Sequence, residues 1–371
     1  MEVTWSQVLA WRLRRQFLDP RTDSDPVTVA RRLCGIQAQL GSAAELAVAA
    51  RQRDPERGVV DRALADRKLV KTWAMRGTLH LLTPEEAGAY LALIRTARTW
   101  ERPSWQRAFG VTAAELAGLL EAVGEALDHR VLTRDELIEQ VLVRTGSRHM
   151  AEQLRSGWGA VLKPLAWSGL LCHGPGQGNR VTFTRPDTWL PDWGGLPEPE
   201  AAARLVIPAY LRAYGPATPE TFDAWLSRGA SRKKDLRGWF ATVSDELATV
   251  TVAGRDCLLL AEDVDDLAET EPTETVRLLP GFDQYVLGPG TRDTELISAD
   301  RWAQVSRAAG WISPVVVCAG RVTGTWEISA DTVTVTWFPE AGPVPAEALS
   351  AEAEWIAGFR GEELTVKVSV G

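Results

Sequence analysis

Cysteine is scarce in this chain. Cys34, Cys172, Cys257 and Cys318 stand far apart, with no CxxC pair and no histidine at ligand spacing. That spacing argues against a structural zinc site and a disulfide framework, and each cysteine reads as a small buried apolar side chain. An uncharged apolar run is lacking at the start, where MEVTWSQVLAWRLRRQF carries Glu2 and an early tryptophan. Neither a secretory signal nor a membrane span is expected, which puts the protein in the cytoplasm with no membrane partner. The glycine-rich GPGQGN (174–179) lacks the Lys-Ser/Thr of a phosphate-binding loop and does not open a strand-to-helix crossover, so no nucleotide cofactor is expected. No metal or other cofactor is expected either.

Positive charge is lacking from the last third. Residues 240–371 hold 8 Lys/Arg against 22 Asp/Glu, whereas residues 1–110 hold 18 against 12 and residues 111–239 hold 15 of each. The net charge of −8 therefore arises at the C-terminal end, and the first two thirds are free to face a polyanion. What is present is ordinary for a globular chain of several domains: 371 residues, 45% hydrophobic and 24% charged, enough for a large core. The sixteen tryptophans read mostly as part of that core.

One order of signals occurs three times: helical segments, then two short strands about a glycine-containing turn. In the first unit VTVARRLCGIQAQ, SAAELAVAARQR and VVDRALADRKL read as helices and LVKTWA-MRG-TLHLL as a hairpin. In the second, ELAGLLEAVGEAL, LTRDELIEQVLVRTG and GWGAVLKPLAWSGLL precede the turn GPGQGN and the strand RVTFTR. In the third, AARLVIPAYLRAYG, TPETFDAWLS and SRKKDLRGWFATVS precede ATVTV-AGRD-CLLLAED. Helices followed by a two-stranded wing give the winged-helix order. Past residue 275 short β-rich runs take over, interrupted by the helical AEALSAEAEWIAGF. The expected fold is α+β: winged helices over residues 1–110, 111–195 and 196–270, then a small antiparallel sheet or β-barrel over 271–371. Linkers are expected at 191–200 and 269–274, where Pro, Gly and acidic residues cluster.

The most pointed local feature is CGIQAQLGS (34–42). On a continuous helix Gln37 and Gln39 would point roughly 200° apart and could not serve one substrate atom. Gly35 and Gly41 flank the pair, and Ser42 with Glu45 reads as a capping box starting a new helix, so an extended segment between them would let both amides face one side. Two carboxamides can orient a water and read a base edge but cannot act as a strong general base. The bland alternative is two solvated amides. Arg31 and Arg32 just before the pair, and Lys71, Trp73, Arg76 and His80 in the hairpin, favour a site in combination, although taken singly Trp73 is more often core than a base-stacking platform and His80 more often a satisfied core or surface histidine than a catalytic one.

Taken together, RRLCGIQAQLGSAAELAVAAR, KLVKTWAMRGTLHLLTPEE and RLLPGFDQYVLG resemble the AlkZ-type winged-helix DNA glycosylases along the length of the chain. That family carries a Gln-apolar-Gln or Gln-apolar-Asp motif, and Gln37-Ala38-Gln39 matches the first form. The resemblance implies three winged helices and a β-barrel forming a concave DNA-binding face. It also implies removal of N7-alkylated purines from double-stranded DNA, including unhooking of interstrand crosslinks as self-resistance to a genotoxin. An N7-alkylguanine is already cationic and leaves as a neutral base, so a water positioned by two amides suffices without a general acid. A tethered base cannot be flipped fully into a closed pocket, which suits an open polar site. No lysine lies within the proposed site, so a monofunctional enzyme, acting as a monomer, is expected. DNA contacts are expected from the first unit, from Asn179 and Arg180 at the second wing tip, and from Arg232, Lys233 and Lys234. A winged-helix transcription regulator that reads bases without chemistry, and a protein-binding scaffold, are the competing readings.

Overall fold

A computed structural model describes residues 1–155, 159–191 and 193–371. Gly157 and Trp158, which open one expected helix, and Asp192 in the first expected linker lie outside the described residues. The chain divides into two compact units, each discontinuous in sequence: residues 1–60, 208–225 and 244–371 form one, residues 61–207 and 226–243 the other.

The first unit is built on a five-stranded sheet. Val276–Leu279, Val315–Cys318, Arg321–Ser329 and Thr332–Trp337 pair antiparallel in that order, and Thr365–Val370 joins Thr332–Trp337 in parallel. A parallel pair needs a long crossover, and the helix Ala346–Arg360 supplies it. Leu349, Ala353 and Ile356 of that helix cover one face of the sheet against Val276, Val316, Val333 and Val335. The opposite face packs on Leu9 and Leu13 of the N-terminal helix Trp5–Arg15. The outer strands Val276–Leu279 and Thr365–Val370 do not pair with each other, so the sheet is open and the expected barrel is not closed. Helical cover on both faces removes the need to bury the sheet against itself. A hairpin, Leu247–Val252 with Arg255–Leu260, turns at Ala253 and Gly254, with φ of 47° and 78°, as a two-residue loop of the primed type requires. Glu2–Val3 adds to it as a parallel strand.

In the second unit, the strands Val70–Trp73 and Leu79–Leu82 form a hairpin whose connection passes through Arg76 and Gly77 at φ of 57° and 70°. Ala113–Ala126 and Arg134–Thr145 are helices that start with full capping boxes, Thr112 with Glu115 and Thr133 with Glu136. Cys172–His173 and Thr182–Thr184 form the second hairpin, which Leu132–Thr133 extends to three strands. A Cβ on Gly88 would sit 2.1 Å from the carbonyl oxygen of Gly195, so the expected linker at 191–200 is packed hard against the helix Pro84–Thr96. Trp73, His173 and Phe183 form one aromatic cluster with centroids 5.1–6.2 Å apart. Among the described residues no helix is long and apolar enough to cross a membrane.

Candidate functional site

The glutamine segment owes its shape to the way the preceding helix stops. Asp25 caps the helix Pro26–Arg32, accepting from Thr28 N at 2.7 Å, with Pro26 at its first position. At the other end Cys34 adopts φ 53° and donates to Arg31 O at 3.1 Å, and Gly35, at φ 98°, donates to Ala30 O at 2.8 Å. This pairing is a Schellman motif, which closes a helix and turns the chain away from its axis. Ile36–Gln37 then runs as a strand, and the next helix, Gly41–Ala49, begins two residues after Gln39. The helix expected through Gln39 thus ends at Arg32, and the chain beyond it is extended over Ile36–Gln37 and bent at Gln39.

Two expected details are corrected. Ser42 and Glu45 form no capping box: Leu40 holds the N-cap position without a side-chain bond, and Glu45 instead accepts from Val59 N and Val60 N at 3.1 and 3.3 Å. Gly41 lies inside the helix, so the break is made by Cys34 and Gly35. The two amides also differ in setting. Gln39 is exposed, whereas Gln37 is 5% exposed and belongs to the core.

The basic and aromatic candidates separate by burial. Arg31 is exposed. Arg32 is half-buried, donates to Arg15 O at 3.1 Å and lies over the Phe17 ring, so its guanidinium is engaged by the framework. Burial, reinforced by the Arg15 and Arg212 charges, pushes its pKa below the usual arginine value. Trp73 and His80 are buried and offer no surface to a duplex, which removes both from the expected contacts. His80 Nδ1 lies 3.0 Å from Thr78 O and must donate to it, leaving Nε2 unprotonated and without a hydrogen-bond partner. Burial, then the Arg76 charge, therefore pushes its pKa down to about 3 against the opposing Thr78 bond.

Lys71, Asn179 and Arg180, from two hairpins of the second unit, do come together. They line one cavity of about 410 Å³ with Asp61, His173 and Trp189. Burial lowers the Lys71 pKa, and the Asp61 carboxylate partly offsets this. Arg76 is half-buried at the other end of the first hairpin. Arg232, Lys233 and Lys234 are exposed at the start of the helix Lys233–Ala241. Arg232 and Lys234 line an open cleft of about 660 Å³ together with Arg95 and Arg98, two cations that no local sequence pattern singled out. The four cations lining the cleft exceed what Glu198, Glu200 and Asp235 neutralise there. Cations at a helix N-terminus oppose the macrodipole, so helix stability does not account for Arg232 and Lys233. Among the described residues no cluster of His, Cys, Asp and Glu could hold a metal ion.

The glutamine segment thus presents two amides that do not titrate, and basic clusters lie elsewhere in the chain. The description "DNA glycosylase AlkZ-like" matches residues 30–359, and the chain belongs to this family of DNA glycosylases. It is 53% identical over 362 residues to the interstrand DNA cross-link repair glycosylase of Streptomyces sahachiroi, covering 97% of this chain and 98% of that one. The solved structure of Streptomyces sahachiroi DNA glycosylase AlkZ matches it with a TM-score of 0.96 at 52% identity, over 100% of both chains. The mixed α+β architecture is therefore that of a known glycosylase.

Proposed function

We propose that the protein hydrolyses the N-glycosidic bond of N7-alkylated purines in double-stranded DNA, and unhooks interstrand crosslinks made through such bases. The single observation that carries the reading is the Gln37-Ala38-Gln39 segment, freed from helix between a Schellman motif and the next helix start in a chain of this family. Exposed Gln39 orients the attacking water. Buried Gln37 fixes the segment and the polarity beneath it. The leaving base carries its own positive charge, so the amides need only place the nucleophile, while phosphates and backbone dipoles stabilise the sugar cation. With lysine assigned to no part of this segment, the enzyme leaves an abasic site without a covalent intermediate.

Residues 1–110, 111–195 and 196–270 are read as three winged helices, and 271–371 as a β-rich C-terminal domain. DNA is engaged through Arg31, Lys71, Arg76, Asn179, Arg180 and the Arg232, Lys233 and Lys234 cluster. The protein works as a monomer in the cytoplasm and serves as self-resistance to a crosslinking genotoxin. The test is single-turnover base release from N7-methylguanine duplexes. Gln37→Ala and Gln39→Ala should each slow release at least about tenfold, roughly 1.4 kcal/mol in the barrier. Gln39→Glu should retain more activity than Gln39→Ala, because a carboxylate stabilises the sugar cation. Full rates in both alanine variants would move the site elsewhere.

A further inference from the structure

We infer that the turn GFDQYVLG (281–288) is the platform that positions the glutamine segment, acting through Asp283 and Tyr214; this rests on the glutamines being the reacting amides. The segment is held at its leading end, the helix that follows it is held at its far end, and both holds lead back to this one turn.

At the leading end, Leu33 ends the helix Pro26–Arg32, and its carbonyl accepts from the Tyr214 hydroxyl. Tyr214 is fully buried. Its ring lies so close to Gly288 that a Cβ there would come within 2.1 Å of it. Gly288 has an ordinary helical φ of −65°, so glycine is required by this approach and not by backbone conformation. Tyr210, one turn earlier, donates to Gly288 O at 3.3 Å.

At the trailing end, Arg51 follows the helix Gly41–Ala49 that starts after Gln39. Its guanidinium donates to Ala47 O at 2.7 Å and to both oxygens of Asp283 at 2.9 and 2.7 Å, with both side chains wholly buried. Asp283 in turn caps Gln284–Leu287, accepting from Tyr285 N at 2.8 Å. A buried ion pair contributes little net stability over an apolar pair of the same shape, but it does fix one register. Positional control is what an amide-based site needs, since a misplacement of about 1 Å can cost on the order of a hundredfold and no basicity compensates.

Tyr214→Phe removes one hydroxyl and keeps the ring on Gly288. The experiment measures single-turnover release from N7-methylguanine DNA, duplex Kd and Tm for wild type, Tyr214→Phe, Gln39→Ala and the double variant. The expected result is at least a tenfold slower release for Tyr214→Phe, with Kd within twofold and Tm nearly unchanged. The double variant should be little slower than Gln39→Ala, because a displaced amide and a missing one are the same loss. Asp283→Asn leaves the Arg51 charge buried and uncompensated and is expected to lower Tm, so it is assayed well below its own Tm, where it should slow release without adding to the loss of Gln39→Ala. If Gln39→Ala slows release but Tyr214→Phe and Asp283→Asn do not, if their losses multiply with that of Gln39→Ala, or if the Tyr214→Phe loss tracks Tm, the platform is overturned. If both Gln39→Ala and Gln37→Ala keep full rates, the reading of the glutamines falls first, and the platform with it.

Discussion

At the scale of single residues, the two glutamines are chemically identical and physically unlike. Gln39 is exposed and Gln37 is core. Truncating a buried amide leaves a void and strands its surroundings, a cost of roughly 1–3 kcal/mol, while an exposed substitution usually stays within about 0.5 kcal/mol. Gln37→Ala should therefore lower the urea midpoint clearly and Gln39→Ala hardly at all, although both slow base release. Equal midpoints for the two variants would contradict the burial difference. The motif was legible in the sequence because its spacing and flanking glycines are local. Which amide is buried was not, because burial depends on what distant residues supply.

At the scale of elements, the two hairpins of the second unit show how histidines lose their affinity for protons. His80 and His173 are both pushed down to about 3, each mainly by burial, with Arg76 acting on the first and Lys71 and Arg134 on the second. An unfolded histidine takes up its proton near pH 6.5. As pH falls below that value the unfolded chain binds protons that the folded chain refuses, so stability should decline from about pH 6.5 toward pH 3 and be intact above. His173→Phe preserves the packing beside Trp73 and Phe183 and removes one of the two titrations. Its Tm should fall less between pH 7.5 and 5 than that of the wild type; identical falls would show that His173 does not contribute. The hairpins and most helices were readable from period and turn residues. The capping box at Ser42 was misread because Glu45 had a better use, satisfying Val59 and Val60 at the start of the next helix.

For the whole molecule, charge is spread unequally, and the proposed DNA contacts draw on the less acidic two thirds of the sequence. Residues 1–110 carry 18 Lys/Arg against 12 Asp/Glu, and Arg95, Arg98, Arg232 and Lys234 gather on one cleft. Duplex affinity should fall steeply with salt despite the net charge of −8. Reversing Arg232, Lys233 and Lys234 to glutamate should weaken binding to all sequences alike and flatten the salt slope by about 1 for each phosphate no longer neutralised. A Kd unchanged by the reversal, measured at several salt concentrations, would take this surface out of DNA binding.

The sequence by itself determined what neighbours along the chain can determine. Gly35 beside the Gln-Ala-Gln marks a place where the helix can break, and the break does fall there. Only the tertiary structure decided that the strands after residue 275 form an open sheet, because that depends on the N-terminal helix and Ala346–Arg360 covering its faces. Only it decided that Trp73 and His80 are core. It also joined Arg51 to Asp283 across 232 residues and Tyr214 to Leu33 across 181. Backbone conformation is set within a few residues, whereas desolvation and ion pairing are set by whichever groups folding brings together, and no local pattern encodes that meeting.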